Sequence, residues 1–135
     1  MAQRILNESV AYAQERKQFG QRIGDFQLVQ AMLADSQTEL LAGWSMVQAV
    51  AQRYDAKPFG VTDPAVSMQA SCTKLFTTEM VGRVADRGVQ IHGGAGYINE
   101  YKVERFYRDV RLLRLYEGTT QIQQLIIGKQ LMRQD

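Results

Sequence analysis

The sequence predicts an all-α domain, most simply an antiparallel four-helix bundle, and three observations carry that prediction. Apolar residues recur at helical spacing over several extended segments. The breaks between those segments carry Gly, Pro and Asp where helices stop and start. No segment of two-residue alternation flanked by turn signals occurs. The 135 residues, 45% of them hydrophobic, suffice for one domain with a real core, residues 1–135.

The first helix is expected over residues 2–17, with Ile5, Leu6, Ser9, Val10 and Ala13 on one face. No capping residue or box precedes it, so the chain is expected to begin inside a helix, as a domain of something longer. A break follows at residues 19–24, after which Asp25 is expected to cap a long helix reaching residue 54. Leu28, Met32, Leu33, Leu40, Trp44, Val47 and Ala51 would form its buried stripe. The loop Lys57-Pro58-Phe59-Gly60 leads to Asp63-Pro64, a cap with proline at the first helical position. The third helix then runs to about residue 91, burying Val66, Ala70, Thr73, Phe76, Met80 and Val84. Gly93-Gly94-Ala95-Gly96 stops it, because that run needs backbone freedom that glycine supplies at low cost. Residues 100–110 read as a short charged helix. Thr120 and Gln123 make a capping box for a last helix with Ile122, Leu125, Ile126 and Leu131.

Composition excludes several function classes. Sixteen Lys+Arg stand against fourteen Asp+Glu, so bulk charge gives no case for nucleic acid or an anionic membrane. The single Cys72 precludes an internal disulfide framework, and the single His92 leaves too few soft ligands for a zinc site, so no metal is expected. Both facts fit a reducing, cytoplasmic setting. No apolar run approaches the roughly 18 residues needed to cross a bilayer, and the N-terminus has no h-region or cleavage site. No membrane insertion is expected.

Tyr116-Glu117-Gly118-Thr119 puts a lone carboxylate on a glycine-relieved turn just before a helix start. Beside Leu112, Leu113 and Leu115 such a Glu would be partly desolvated, which raises its pKa and makes it a stronger base near neutral pH. Its ordinary reading is a solvated loop Glu near a helix N-terminus. Glu15-Arg16-Lys17-Gln18-Phe19-Gly20 offers a guanidinium for a pyrophosphate and a ring for an adenine, or simply a helix end with Gly20 as its C-cap. The Gly93–Gly96 run follows a helix and lacks a downstream Lys-Ser/Thr pair, so it is neither a Walker nor a Rossmann loop. It reads as a tight helix stop, with close backbone approach to a ligand also open and Gln90 placed to add an amide. His92 has no nucleophile motif beside it and reads as structural, and Cys72 as a small core residue. Arg105, Arg108, Arg111 and Arg114 are interleaved with Phe106 and Tyr107 but partly neutralised by Glu104 and Asp109, which favours a salt-bridged surface or subunit interface over a nucleic-acid contact.

Taken jointly, these strings have a specific order. With Tyr12–Gly20, Phe26-Gln27, Gln90–Tyr97, Tyr107-Arg108-Asp109 and Tyr116–Gln123 in sequence, the chain resembles, end to end, the C-terminal helical domain of the acyl-CoA dehydrogenases. That resemblance implies an FAD-dependent enzyme that removes two hydrogens from the α and β carbons of an acyl-CoA thioester. Glu117 matches the catalytic base of many members: its carboxylate would take the pro-R α-proton while the β-hydrogen leaves as hydride to flavin N5. The Glu117 N–H would join a ribityl hydroxyl on the thioester oxygen. Gly118 would let the turn bring backbone and carboxylate to one substrate, and Tyr116 would line the acyl pocket.

For FAD, the resemblance puts Arg16 and Gln18 near the pyrophosphate, Phe19 at the adenine end and Gln27 nearby. Gln90, Gly93 and Gly94 would approach from a neighbouring subunit, and Thr119 and Gln121 would meet the adenosine-pyrophosphate at a helix N-terminus. Lys129 matches loosely a basic position near CoA. A cofactor shared across subunits implies a homo-oligomer, a dimer or a dimer of dimers, and electron-transfer flavoprotein as the electron acceptor. The family's N-terminal helical and middle β-domains have no counterpart in these residues, so residues 1–135 alone are expected to hold FAD weakly and turn over poorly. Two alternatives stand beside this reading: an oxidase or related flavoenzyme of the same fold, and a bundle serving only assembly or protein binding.

Overall fold

Helix α3 (Pro64–His92) is the axle of the molecule, and the other helices are placed by what they lay against it. The computed structural model describes residues 1–58, 61 and 63–133; Phe59 and Gly60 of the expected second loop lie outside them. The remaining helices are α1 (Ala2–Glu15), α2 (Gln27–Asp55), α4 (Lys102–Leu112) and α5 (Thr120–Leu131). The all-α expectation holds.

The line Ile5, Leu6, Ser9 and Ala13 buries α1 against α3. A Cβ on Gly88 would lie 2.8 Å from Ile5 Cγ2, while Tyr12, further along α1, stacks on His92, so α1 and α3 run in parallel. α2 runs antiparallel to α3. Glu39 accepts from Arg83 Nε at 2.7 Å and Arg87 Nη1 at 2.9 Å, and Gly43 meets Met80 one stretch lower on α3. Burial alone would raise the Glu39 pKa, but the hydrogen bonds from Arg87 and Arg83 together hold it below its ordinary value.

α4 and α5 share the fourth position of the bundle. Val103 sits over Gly88, Phe106 and Val110 pack with Val81, Val84 and Ala85, and α5 continues down α3 from Glu79. The fourth stave is therefore one antiparallel rod broken in two at residues 113–119. The core lies between α1, α3 and α4, with Ile5, Val84, Val103 and Val110 fully buried. Each of these contributes on the order of 1.5–3 kcal/mol of hydrophobic stabilisation.

Several local expectations are corrected. α1 ends at Arg16, which is extended (φ −70°, ψ 128°), so Gly20 is no C-cap. Lys17–Gln18 (β1) and Gln21–Arg22 (β2) instead pair antiparallel, Lys17 opposite Arg22 and Gln18 opposite Gln21. Phe19 (φ 52°) and Gly20 (φ 82°) make the two-residue turn between them, with the positive φ at both positions that tight hairpins favour. Strands of two residues leave no alternation to read. Asp25 does not cap α2: it closes a 3-10 turn, its carboxylate pairs with Arg22 at 3.4 Å, and Phe26 takes the N-cap position with no side-chain bond. Asp63 does cap α3, accepting from the Ala65 N–H at 2.9 Å.

The α2 stripe is also corrected. The helix buries Ser36 and Gly43, while Leu28 is 81% and Trp44 59% exposed, Val47 and Ala51 are exposed, and Met32, Leu33 and Leu40 are half-buried. Small residues let α2 approach α3 closely, and among the described residues no element covers Leu28, Trp44 or Val47. On α3, Val66, Thr73, Met80 and Val84 are buried as expected, whereas Ala70 is exposed and Phe76 half-buried. Ile122, Leu125 and Leu131 of α5 are exposed as well.

Candidate functional site

Glu117 stands at the break in the fourth stave, between the end of α4 and the start of α5. Its backbone is left-handed, φ 55°, and Gly118 follows at φ 88°. For a residue with a side chain that conformation costs about 1–2 kcal/mol, and it persists only where surrounding contacts impose it. Gly118 is tightly placed: a Cβ there would come 2.6 Å from Gln123 Nε2. Gln123 is itself 7% exposed and donates from Nε2 to Glu117 O at 3.4 Å. Among the described residues the Glu117 N–H makes no hydrogen bond, so one residue presents both a free donor and a carboxylate.

The expected desolvation of Glu117 is not found. Its side chain is exposed, because Leu112 and Leu115 beside it are themselves exposed on the outer rim of the break and only Leu113 turns inward. The expected capping box of Thr120 and Gln123 does not form, and a single cap one residue earlier takes its place. Thr119 is the N-cap of α5, its Oγ1 accepting from the Ile122 N–H at 3.3 Å. Thr120, the first residue of α5, instead turns its hydroxyl toward α3 and donates to Glu79 Oε1 at 2.7 Å, a charge-assisted bond. At this N-terminus Thr120 N–H is taken by Arg114 O and Gln123 N–H by Thr119 O, which leaves the Gln121 N–H free among the described residues.

The other candidate residues gather at one end of the bundle. Arg16, Gln18 and Phe19 lie on the hairpin, and Gln27 opens α2 beside it. Phe19 is 92% exposed, edge-on to Phe26 at 6.2 Å between centroids. Gln90, Gly93 and Gly94 lie at the C-terminal end of α3, where Gly93 (φ 58°, ψ −137°) ends the helix and a 3-10 turn carries the chain to Tyr97. His92 ties the two parts together. It is 6% exposed, stacks on Tyr12 at 4.2 Å and donates from Nδ1 to Gly88 O at 2.7 Å, the structural role expected of it. Burial in this stack pushes its pKa down, against smaller upward effects of Gly88 O and Glu8.

The two groups of residues do not meet within one chain. About 28 Å of helical rise separates Gly93 from Lys74, the α3 residue beneath the Glu117 turn. Tyr116 is half-exposed next to Glu117, and Lys129 is exposed on α5. Of the arginine run, Arg108 pairs with Glu104 at 3.0 Å and Arg114 with Glu79 at 3.2 Å, a salt-bridged surface as expected. Sequence reasoning missed Lys74 and Glu79, which bond to both sides of the break. Their one visible signal was two charges set into an otherwise apolar and hydroxylic stretch of helix. Among the described residues no cluster of three metal-ligating side chains occurs, and no helix is long and apolar enough to cross a membrane.

The residues assigned to FAD fit parts of it. An exposed guanidinium and a free helix-terminal N–H suit a pyrophosphate, and an exposed ring held at a strained turn suits an adenine.

Comparison with known proteins bears on the family and the fold. The sequence profile of the acyl-CoA dehydrogenase C-terminal domain matches residues 1–132. The caffeyl-CoA reductase–Etf complex subunit CarC of Acetobacterium woodii is 44% identical over 133 residues, which are 98% of this chain and 34% of that protein. The crystal structure of an acyl-CoA dehydrogenase from Geobacillus kaustophilus superposes with a TM-score of 0.89 at 35% identity, over 96% of this chain and 33% of that one. That of an acyl-CoA dehydrogenase complexed with FAD from Bacillus anthracis gives 0.90 at 33% identity, over 98% of this chain and 25% of that one. The chain thus spans about a third of the length of the curated relatives it matches. On this end-to-end match of sequence and shape, the chain belongs to the acyl-CoA dehydrogenase family and corresponds to its C-terminal helical domain.

Proposed function

We propose that this domain supplies the proton-abstracting base and part of the FAD cradle of an enzyme that dehydrogenates acyl-CoA thioesters. The observation that carries the reading is the Glu117-Gly118 turn. A strained backbone presents a carboxylate and an unbonded N–H from the same residue, at a break in an otherwise continuous stave. A thioester whose oxygen accepts from the Glu117 N–H has its α-proton made more acidic, because enolate charge developing on that oxygen is stabilised. The Glu117 carboxylate then takes the α-proton, and Gly118 permits the geometry that lets one residue do both. The chemistry supplied by FAD, when bound, is acceptance of the β-hydrogen as hydride.

On the cofactor side, Arg16 and Gln18 would hold the pyrophosphate, Phe19 would cover the adenine with Gln27 nearby, and Gln90, Gly93 and Gly94 would close that end. Thr119 and Gln121 would meet the dinucleotide beside Glu117. Thr119 does so chiefly through its backbone, since its hydroxyl is engaged in capping α5. The distance along α3 between these two sets favours a cofactor shared by two copies, hence a homo-oligomer, a dimer or dimer of dimers. Tyr116 would border the acyl chain. The exposure of Glu117 favours a site completed by further protein, and residues 1–135 alone are expected to bind FAD weakly. The name of the Acetobacterium relative, a subunit of an Etf complex, supports electron-transfer flavoprotein as the redox partner.

The test is Glu117→Gln in the full-length flavoprotein that carries this domain. Exchange of the α-proton of a bound thioester with solvent should be lost, with the thioester still bound. Exchange at the original rate would remove Glu117 from the role. Fast reduction of oxygen without an electron-transfer partner would favour the oxidase alternative.

A further inference from the structure

Two side chains of α3 hold the break, and each reaches both sides of it. Lys74 Nζ donates to Leu113 O at 3.0 Å, at the end of α4, and to Gly118 O at 2.6 Å, within the turn. Glu79 pairs with Arg114 Nη1 at 3.2 Å and accepts from Thr120 Oγ1 at 2.7 Å, at the first residue of α5. Gly82 leaves the space over which the Arg114 guanidinium lies, and a Cβ there would collide with it. The signs are matched to the helix ends. A cation meets the Leu113 carbonyl at the C-terminal end of α4, and an anion lies at the N-terminus of α5. With the two charges exchanged, each helix end would face a charge of its own sign.

We propose that Lys74 and Glu79 are positioning residues for Glu117, fixing the turn in the left-handed conformation that presents its carboxylate and N–H together. This rests on the reading of Glu117 as the α-proton base. The break's short local bond, Leu115 N–H to Leu112 O at 2.8 Å, lies before Glu117, while those that span Glu117-Gly118 are long: Gln123 Nε2 reaches Glu117 O at 3.4 Å, and Thr120 N–H reaches Arg114 O at 3.2 Å. Freed from α3, Glu117 relaxes toward negative φ, which carries its carboxylate and its N–H out of register with a single thioester. Because the contacts lie on the α3 side of the break, they act through backbone placement and leave the substrate side open.

Lys74→Met keeps the aliphatic stem and removes the donors, and Lys74→Arg retains a cation. In residues 1–135, amide exchange of Thr120 is compared with that of Ile23, whose N–H bonds Arg16 O at 2.9 Å and lies far from the break. In the full-length flavoprotein, thioester α-proton exchange, kcat and KM are measured. Lys74→Met should exchange the Thr120 amide at least tenfold faster with Ile23 unchanged. It should also lower α-proton exchange at least tenfold with KM within twofold, and Lys74→Arg should recover most of both. Thr120→Val, which removes the hydroxyl from Glu79, should shift the same quantities in the same direction and serves if Lys74→Met does not fold. Unchanged Thr120 protection in both variants overturns the proposal. So does a fall in activity that tracks KM and a general loss of amide protection. Glu117→Gln in parallel keeps the two ideas apart: if it retains α-proton exchange, the base is elsewhere, and the clamp is judged on the Thr120 amide alone.

Discussion

Two turns in this molecule use the same backbone device and are supported in opposite ways. Phe19-Gly20 and Glu117-Gly118 each place a side-chain-bearing residue and then a glycine at positive φ (52° and 82°; 55° and 88°). The first is closed locally by the β1–β2 pair, so its strain is offset within six residues of chain. The second has no ladder. Its support comes from α3 side chains 39, 41 and 44 residues away in sequence. A locally supported turn can carry a recognition residue at the tip of the fold. A turn held from afar is set by the tertiary structure, and its geometry depends on how α4 and α5 dock.

The sharpest way to break this comparison is at the glycines. Alanine at Gly20 meets nothing within 4 Å, so Gly20→Ala should cost only the left-handed penalty, about 1–2 kcal/mol. Gly118→Ala adds a Cβ against Gln123 Nε2 and should cost about 2–3 kcal/mol. Denaturant unfolding measures both, and adding Gln123→Ala should reduce the Gly118→Ala increment specifically. Equal costs at the two sites would mean that Gly118 is as unconstrained as Gly20.

A smaller effect of opposite sign is expected when strain is removed. Glu117→Gly should raise stability by about 0.5 kcal/mol while abolishing base function. Phe19→Gly should gain less, because it also loses the edge contact with Phe26.

The smallest expected effect depends on pH and touches only the hairpin end. His92 is buried with a lowered pKa, so its folded state resists a proton that the unfolded chain accepts near pH 6.5. Its contribution is complete above that pH and is lost as pH falls through the lowered folded value. Native protein should lose stability relative to His92→Phe between pH 7.5 and 5.0. Amide exchange should quicken first in the hairpin and only later at residues 115–120.

These contrasts also describe what could be read in the chain. Asp63-Pro64 and Gly93 marked the ends of α3 because caps and stops are local chemistry. The break at residues 19–24 was visible, but its hairpin was not, since two-residue strands carry no period. Adjacent threonines concealed the cap of α5, because Thr119 and Thr120 present the same hydroxyl, and that of Thr120 turns toward Glu79. The α2 stripe was misread because apolar spacing marks residues that want partners without saying whether this chain contains them. Lys74 and Glu79 were invisible as a pair, since nothing in a sequence announces a contact that closes over some forty residues.

The uncovered face of α2 has a practical consequence. Trp44 is the chain's only tryptophan and stands on that face with more than half of its surface in water. Its emission should be that of a solvated indole, easily quenched by iodide. Whatever covers α2, a second copy or the rest of a longer polypeptide, should shift it to the blue and shield it. The domain thus carries its own optical reporter of assembly.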